Sequence, residues 1–185
     1  MTHPSYRSRS HGFTLVEVLI AIVVFSIGLL GIAGLQVSGM RFTQGSQLRA
    51  VAAMQVSTMS DRMRANRVAV QDGNYDSKGT MPISSAKDCA AVACTPAESA
   101  VYDLYSWNKA GASGKPKQGN ADLLPEGAGV VCIDSTPDDG STTGWACDGT
   151  GTVYAIKVQW TERTTSGTDG TADTTTQRLV MRVMQ

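Results

Sequence analysis

Glu17 is the residue whose placement asks most for an explanation. It is the only charge in the run FTLVEVLIAIVVFSIGLLGIAGL, residues 13–35. An ionisable group inside an apolar membrane helix costs about 2.5–3.5 kcal/mol on insertion scales, which makes it a functional candidate by default. A carboxylate there must find a partner or take up a proton. The other groups with chemical reach are four cysteines, Cys89, Cys94, Cys132 and Cys147, and three acids of one loop, Asp134, Asp138 and Asp139. In a small exported domain two disulfides are the default. Four cysteines allow three pairings, and proximity along the chain favours Cys89 with Cys94 and Cys132 with Cys147. A four-thiolate zinc site is the sharper alternative, but it needs reduced thiols and paired C-x-x-C spacing, which is missing. The aspartates could offer oxygen ligands to Ca²⁺, yet their spacing does not follow an EF-hand loop, so a plain Asp/Gly turn is the simpler reading.

Catalysis finds no candidate residues. Both histidines, His3 and His11, fall in the first dozen residues, which removes Ser-His-Asp and Cys-His chemistry and histidine metal sites from nearly all of the chain. No nucleophile elbow, phosphate-binding loop or convincing carboxylate pair is visible. No cofactor, no metal and no enzymatic activity are expected. Sixteen basic residues balance sixteen acidic ones over 185 residues, giving zero net charge, so no electrostatic case for nucleic acid exists.

The elements that must position these groups begin with the apolar run. The uncharged stretch 18–35 reaches the length at which an α-helix spans a hydrocarbon core of about 30 Å. The leader MTHPSYRSRSHG carries Arg7 and Arg9 and no acid, so the positive-inside rule keeps the N-terminus in the cytoplasm and sends the bulk of the protein outward. A cleaved secretory signal would be shorter and end in small residues. A plain signal anchor fits the length but has no use for Glu17. Beyond the span, residues 36–67 keep a helical stripe of Leu48, Val51, Ala52, Val56, Met59 and Met63. Met54, Met59 and Met63 read as adaptable core filler. Arg41, Arg49, Arg62, Arg64 and Arg67 read as a solvated basic face, with subunit contact as the alternative. Glycines at 28, 31 and 34 suit close helix packing in lipid. The helix should end near Asn66, ahead of the turn signal Asp72-Gly73-Asn74.

Residues 68–88 show no sustained period and read as a surface loop. Thr95-Pro96-Ala97-Glu98 is a capping box with proline at the first helical position. It predicts a helix from Pro96 to about Ala110 that buries Ala97, Ala100, Val101, Leu104 and Trp107. Residues 111–119 read as a Lys-rich solvated loop. Tyr154, Ile156, Val158 and Trp160 alternate with Ala155, Lys157, Gln159 and Thr161 to give a strand with one apolar face. Leu179, Met181 and Val183 give another, and Val130, Val131 and Ile133 a third. The expected fold class is α+β, a long N-terminal helix packed on a C-terminal antiparallel sheet.

Gly12-Phe13-Thr14-Leu15-Val16-Glu17, between a basic leader and an unbroken apolar helix, resembles the class III signal of type IV prepilins and pseudopilins. The resemblance implies a pilin-like fold and cutting of the Gly12–Phe13 bond by a prepilin peptidase, with N-methylation of Phe13. It implies the divisions 1–12 leader, 13–35 membrane and assembly helix, 36–67 amphipathic half of the same helix, and 68–185 extracytoplasmic domain. Phe13 and Glu17 are i,i+4 on one helix face. Glu17 could therefore bond its own new ammonium or that of a neighbouring subunit, and the resemblance favours the neighbour, setting subunit register. Pilins of this kind melt part of the helix on assembly, often at a proline, where this chain has Gly34.

The helix start, Asp61-Arg62-Met63-Arg64-Ala65-Asn66, Tyr75 and the Cys89/Cys94-Thr95-Pro96 segment further resemble PilV-type minor pilins of Gram-negative bacteria. That implies a subunit helping to initiate pilus assembly with other minor pilins, the major pilin and an inner-membrane assembly platform, and to display a large tip adhesin. It would be a single-pass inner-membrane protein with a periplasmic domain before assembly, and lie at the pilus tip or base afterwards. A minor pseudopilin of a type II secretion system is the alternative, and a membrane-anchored periplasmic binding module a third reading.

Overall fold

The structure is a computed structural model, and it describes residues 12–82, 84–109, 119–141, 144–164 and 173–184. The leader histidines and arginines, Ala110 and most of the expected Lys-rich loop lie outside these residues. The chain divides into two compact units, Met1–Gln44 and Gly45–Gln185.

In the first unit, helix α1 (Leu15–Ala65) begins and runs without a break through Gly28, Gly31, Gly34 and Gly39. A Cβ added at any of these four glycines would meet open space. Side chains from Phe13 to Phe42 are exposed, Phe13 at 83%. The helix is long and apolar enough to cross a membrane, by length and composition.

The second unit is α+β. It holds the rest of α1, then α2 (Arg67–Gln71), α3 (Pro96–Asn108), α4 (Asn120–Leu123), β1 (Ala128–Ile133), β2 (Val153–Thr164) and β3 (Asp173–Met184). The strands form one antiparallel sheet in the order β1-β2-β3, with Val131 opposite Ile156 and Ile156 opposite Met181. The stripe of α1 supplies Ala52, Val56, Met59 and Met63 to a core shared with Val131, Tyr154, Ile156, Val158 and Trp160. At about 25 cal/mol per Å², burial of such side chains is the main force holding helix to sheet. Helix α3 adds Ala100, Leu104 and Trp107. The Trp107 indole N–H donates to Gln55 O at 2.8 Å, which lets a large polar-tipped ring be buried without an orphan donor.

Residues 68–88 are not simply a surface loop: Asn66 ends α1 and caps α2 by accepting from Ala69 N–H, so the chain turns back and buries Ala69, Val70 and Tyr75. Ala97 and Val101 are exposed, because α3 turns a narrower face inward than its apolar residues allow. Met54 is exposed too, lying off the stripe. Arg62 is only partly solvated, since it pairs with Asp103 at 3.5 Å and donates to Ser106 Oγ at 2.8 Å. Helix α3 starts as its capping box requires, with Thr95 and Glu98 exchanging bonds, and its described part ends at Asn108.

The sheet is covered on both faces. Opposite α1 lie Val130, Cys132, Ala155 and Lys157, all with no exposure. The described residues of 134–151 cross over them as a strap. Alternation along β2 puts Lys157 on the face opposite its apolar row, and the strap buries that face as well.

Candidate functional site

The described chain begins at Gly12, which is exposed and in no regular element, followed by Phe13 and Thr14 ahead of α1. Glu17 N–H donates to Thr14 O at 3.1 Å and to Thr14 Oγ1 at 3.3 Å. Thr14 thus satisfies one of the donors that every helix leaves free at its start, and Glu17 stands three positions on, where an acid also complements the helix dipole. Thr14-Leu15-Val16-Glu17 has the same S/T-x-x-E spacing as the box at Thr95, and that spacing was the signal for Thr14 that sequence reading missed.

Phe13, Glu17, Val18, Ala21, Ile22 and Phe25 line one open groove along this first part of the helix. Among the described residues no cation lies against the Glu17 carboxylate. The geometry is an exposed apolar ridge with one acid near its head. It can insert in lipid or pack against other helices, and an ammonium supplied there would be held by the acid in surroundings where water competes poorly.

The cysteines are joined in two disulfides, Cys89–Cys94 with Cα atoms 5.6 Å apart and Cys132–Cys147 at 6.0 Å. Cys132, Asp134 and Cys147 lie within one cluster of potential ligand atoms, but the bonded sulfurs offer no thiolate to a metal. The acids of the strap are engaged by cations. Asp134 pairs with Lys157 at 2.6 Å, Asp139 with the same ammonium at 3.3 Å, and Asp138 with Arg182. Asp148 accepts from the Ser135 hydroxyl, which holds its carboxyl well below the usual range. This donor set fits a clamp made by the chain's own lysine and arginine, not a Ca²⁺ shell.

No curated protein and no solved structure matches the chain. Residues 7–33 match the family described as the prokaryotic N-terminal methylation motif, a span that contains Gly12, Phe13, Thr14 and Glu17. That match implies processing by a prepilin peptidase and pilin-type partners in general. The chain is prepilin-like: an N-terminal methylation motif heads its membrane-capable helix, and an α+β pilin-like domain follows.

Proposed function

We propose that this chain is a minor pilin that takes part in initiating type IV pilus assembly, in a tip-located complex with other minor pilins, and that it is a structural subunit and not an enzyme. The observation that carries the reading is the spacing of Phe13 and Glu17 at the head of an open apolar helix, inside the methylation motif. Hydrolysis of the Gly12–Phe13 amide adds water across the bond, releases the leader carboxylate and leaves an ammonium on Phe13. The helix then carries a cation and an acid four residues apart. A neighbouring helix in the correct axial register brings its own ammonium to Glu17, and one helix out of register leaves both charges stranded, at about 3–5 kcal/mol. The sheet domain is left free in the periplasm to meet partners before the subunit leaves the inner membrane.

Co-expression with and without a prepilin peptidase, followed by intact mass measurement, tests the processing step. The expected mature form starts at methylated Phe13, and retention of residues 1–12 in the presence of the peptidase overturns the proposal. Deletion in the native host tests the assembly. Loss of surface pili and twitching is the expected result. Intact pili with blocked exoprotein release would assign the chain to a type II secretion pseudopilus instead.

A further inference from the structure

The two edges of the sheet are finished differently. On β1, the Ser77 N–H and hydroxyl both donate to Val131 O, at 2.9 and 2.6 Å, and Ile133 N–H donates to Asp76 Oδ1 at 3.2 Å. Gly129 N–H donates to Asn108 Oδ1 at 2.7 Å. Turn and helix residues therefore occupy that edge. On β3, among the described residues, no group outside the β2 ladder bonds to the backbone of 177–184. The core also thins toward β3: Ile156 and Val158 have no exposure, whereas Leu179, Met181 and Val183 on the same face are only partly buried at the core's margin.

Proteins commonly blunt such an edge with a bulge, a proline or a guarding charge. The β2–β3 register is unbroken over Val153↔Met184 through Thr164↔Asp173, so there is no bulge, and β3 contains no proline. Its two arginines are drawn onto the strap. Arg178 donates to Asp139 O at 3.0 Å and to Ser141 O and lies over the Trp145 ring, while Arg182 pairs with Asp138. The guard charges are thus engaged elsewhere.

We propose that the free edge of β3 accepts an extended strand from a different protein chain, one with apolar side chains at alternate positions to continue the row of Leu179, Met181 and Val183. Only another extended backbone offers donors and acceptors at the spacing of a strand edge. A second copy of this chain, overlapped about Val180, would set each Arg178 opposite an Arg182, and like charges directly opposite are unfavourable. The outward row therefore calls for acidic or neutral residues in the added strand. The inference concerns the sheet domain and stands apart from the filament reading.

The test uses the full chain in detergent micelles and a synthetic twelve-residue peptide with valine at alternate positions and threonine or glutamate between. Residue-resolved amide exchange is measured with this peptide, and with the same peptide N-methylated along one edge so that it keeps its side chains but cannot pair. The expected result is a roughly tenfold slowing at alternate amides of 177–184 with the first peptide only. Equal effects of the two peptides would reduce the site to an apolar groove and overturn strand addition. No slowing at millimolar peptide overturns it as well. The same alternate protection on concentrating the protein alone would make the occupant a second copy and overturn the proposal as stated.

Discussion

Lys157 and Asp134 form an ion pair, Nζ to Oδ2 2.6 Å, in which neither side chain has any exposure. The ammonium also donates to Asp139 Oδ1 at 3.3 Å and to Trp145 O at 2.7 Å. Burial of a charge is expensive, and it is tolerated here because the strap brings oxygen atoms to the lysine from both of its limbs. The disulfide Cys132–Cys147 joins the strap to β1 on the same face, and Arg178 and Arg182 hold it from β3. What the outer face lacks in apolar cover it gains in these cross-links.

Replacing Lys157 by methionine leaves Asp134 as a buried charge without its partner. The expected loss is about 3–5 kcal/mol of unfolding free energy, with most of it recovered when Asp134→Leu is added. Urea unfolding of the full chain in micelles, followed by tryptophan fluorescence, measures both variants. A single-variant loss under about 1 kcal/mol, the range of surface pairs, would show that the strap does not close over the lysine in solution.

The two disulfides should differ in worth. Cys132–Cys147 spans a sequence separation of 15 and Cys89–Cys94 one of 5. Chain entropy assigns about 3 kcal/mol to the first loop and about 2 kcal/mol to the second. Double serine variants should follow that order, and only the Cys132→Ser, Cys147→Ser variant should speed amide exchange at Val130, Ala155 and Lys157. Equal exchange at those positions in both variants would remove the disulfide from the account of the strap.

Stability should fall at both ends of the pH scale. The Thr136 hydroxyl and Lys157 hold Asp139 below the ordinary carboxylate value of 3.8, and the Ser135 hydroxyl holds Asp148 well below it. Folded values that are depressed give stability that is present above 3.8 and lost as pH falls further. Burial pushes the Tyr154 phenol up to about 12, and burial with the Asp103 hydrogen bond raises Tyr75 above its ordinary value of 10.0. Raised folded values of an acid give stability that is complete below 10.0 and lost progressively as pH rises from there to about 12. Urea midpoints from pH 2 to 12 check this, and Asp148→Asn should flatten the acid limb alone.

Much of this fold is legible along the chain because each element carries its own periodicity. The stripe from Leu48 to Met63, the box at Thr95 and the alternation from Tyr154 to Trp160 are local patterns, and local patterns survive folding. Lys157 was not legible, since its burial is decided by the strap folding over it and not by its neighbours in sequence. Tyr75 and Val70 were hidden for a similar reason: a five-residue helix is too short to show a period, and its burial depends on α1 turning back at Asn66. At the N-terminal site, Glu17 announced itself by charge, whereas Thr14, which bonds only to the backbone, carried no contrast with its surroundings.

Gly129 is fixed by a close approach. A Cβ built there would lie 2.5 Å from the Trp107 ring and 2.5 Å from Asn120 Nδ2, and Trp107 cannot retreat without losing its bond to Gln55 O. Gly129→Ala should cost about 1–3 kcal/mol by overpacking. The same substitution should cost less in a Trp107→Phe background, where a smaller ring leaves room. Equal costs in both backgrounds, measured as a double-mutant cycle, would show that the ring is not what the added methyl meets.

Glu17→Ala separates the two things that the first helix must do. Removing the acid makes the apolar run more hydrophobic, so membrane insertion should improve by about 2.5–3.5 kcal/mol if the side chain was charged there. Cutting at Gly12–Phe13 should continue, because the bond lies four residues away from the change. Assembly should fail, since the ammonium of a neighbouring subunit then has no acid to meet, and a stranded charge of about 3–5 kcal/mol shifts an incorporation equilibrium by roughly a hundredfold or more. The measurement is the ratio of variant to wild-type chain in sheared filaments, set against the ratio in the membrane fraction. Glu17→Gln tests the charge itself, as it keeps shape and hydrogen-bonding capacity without the negative charge. If it incorporates like wild type, a hydrogen bond suffices and the ion pair is not what sets the register.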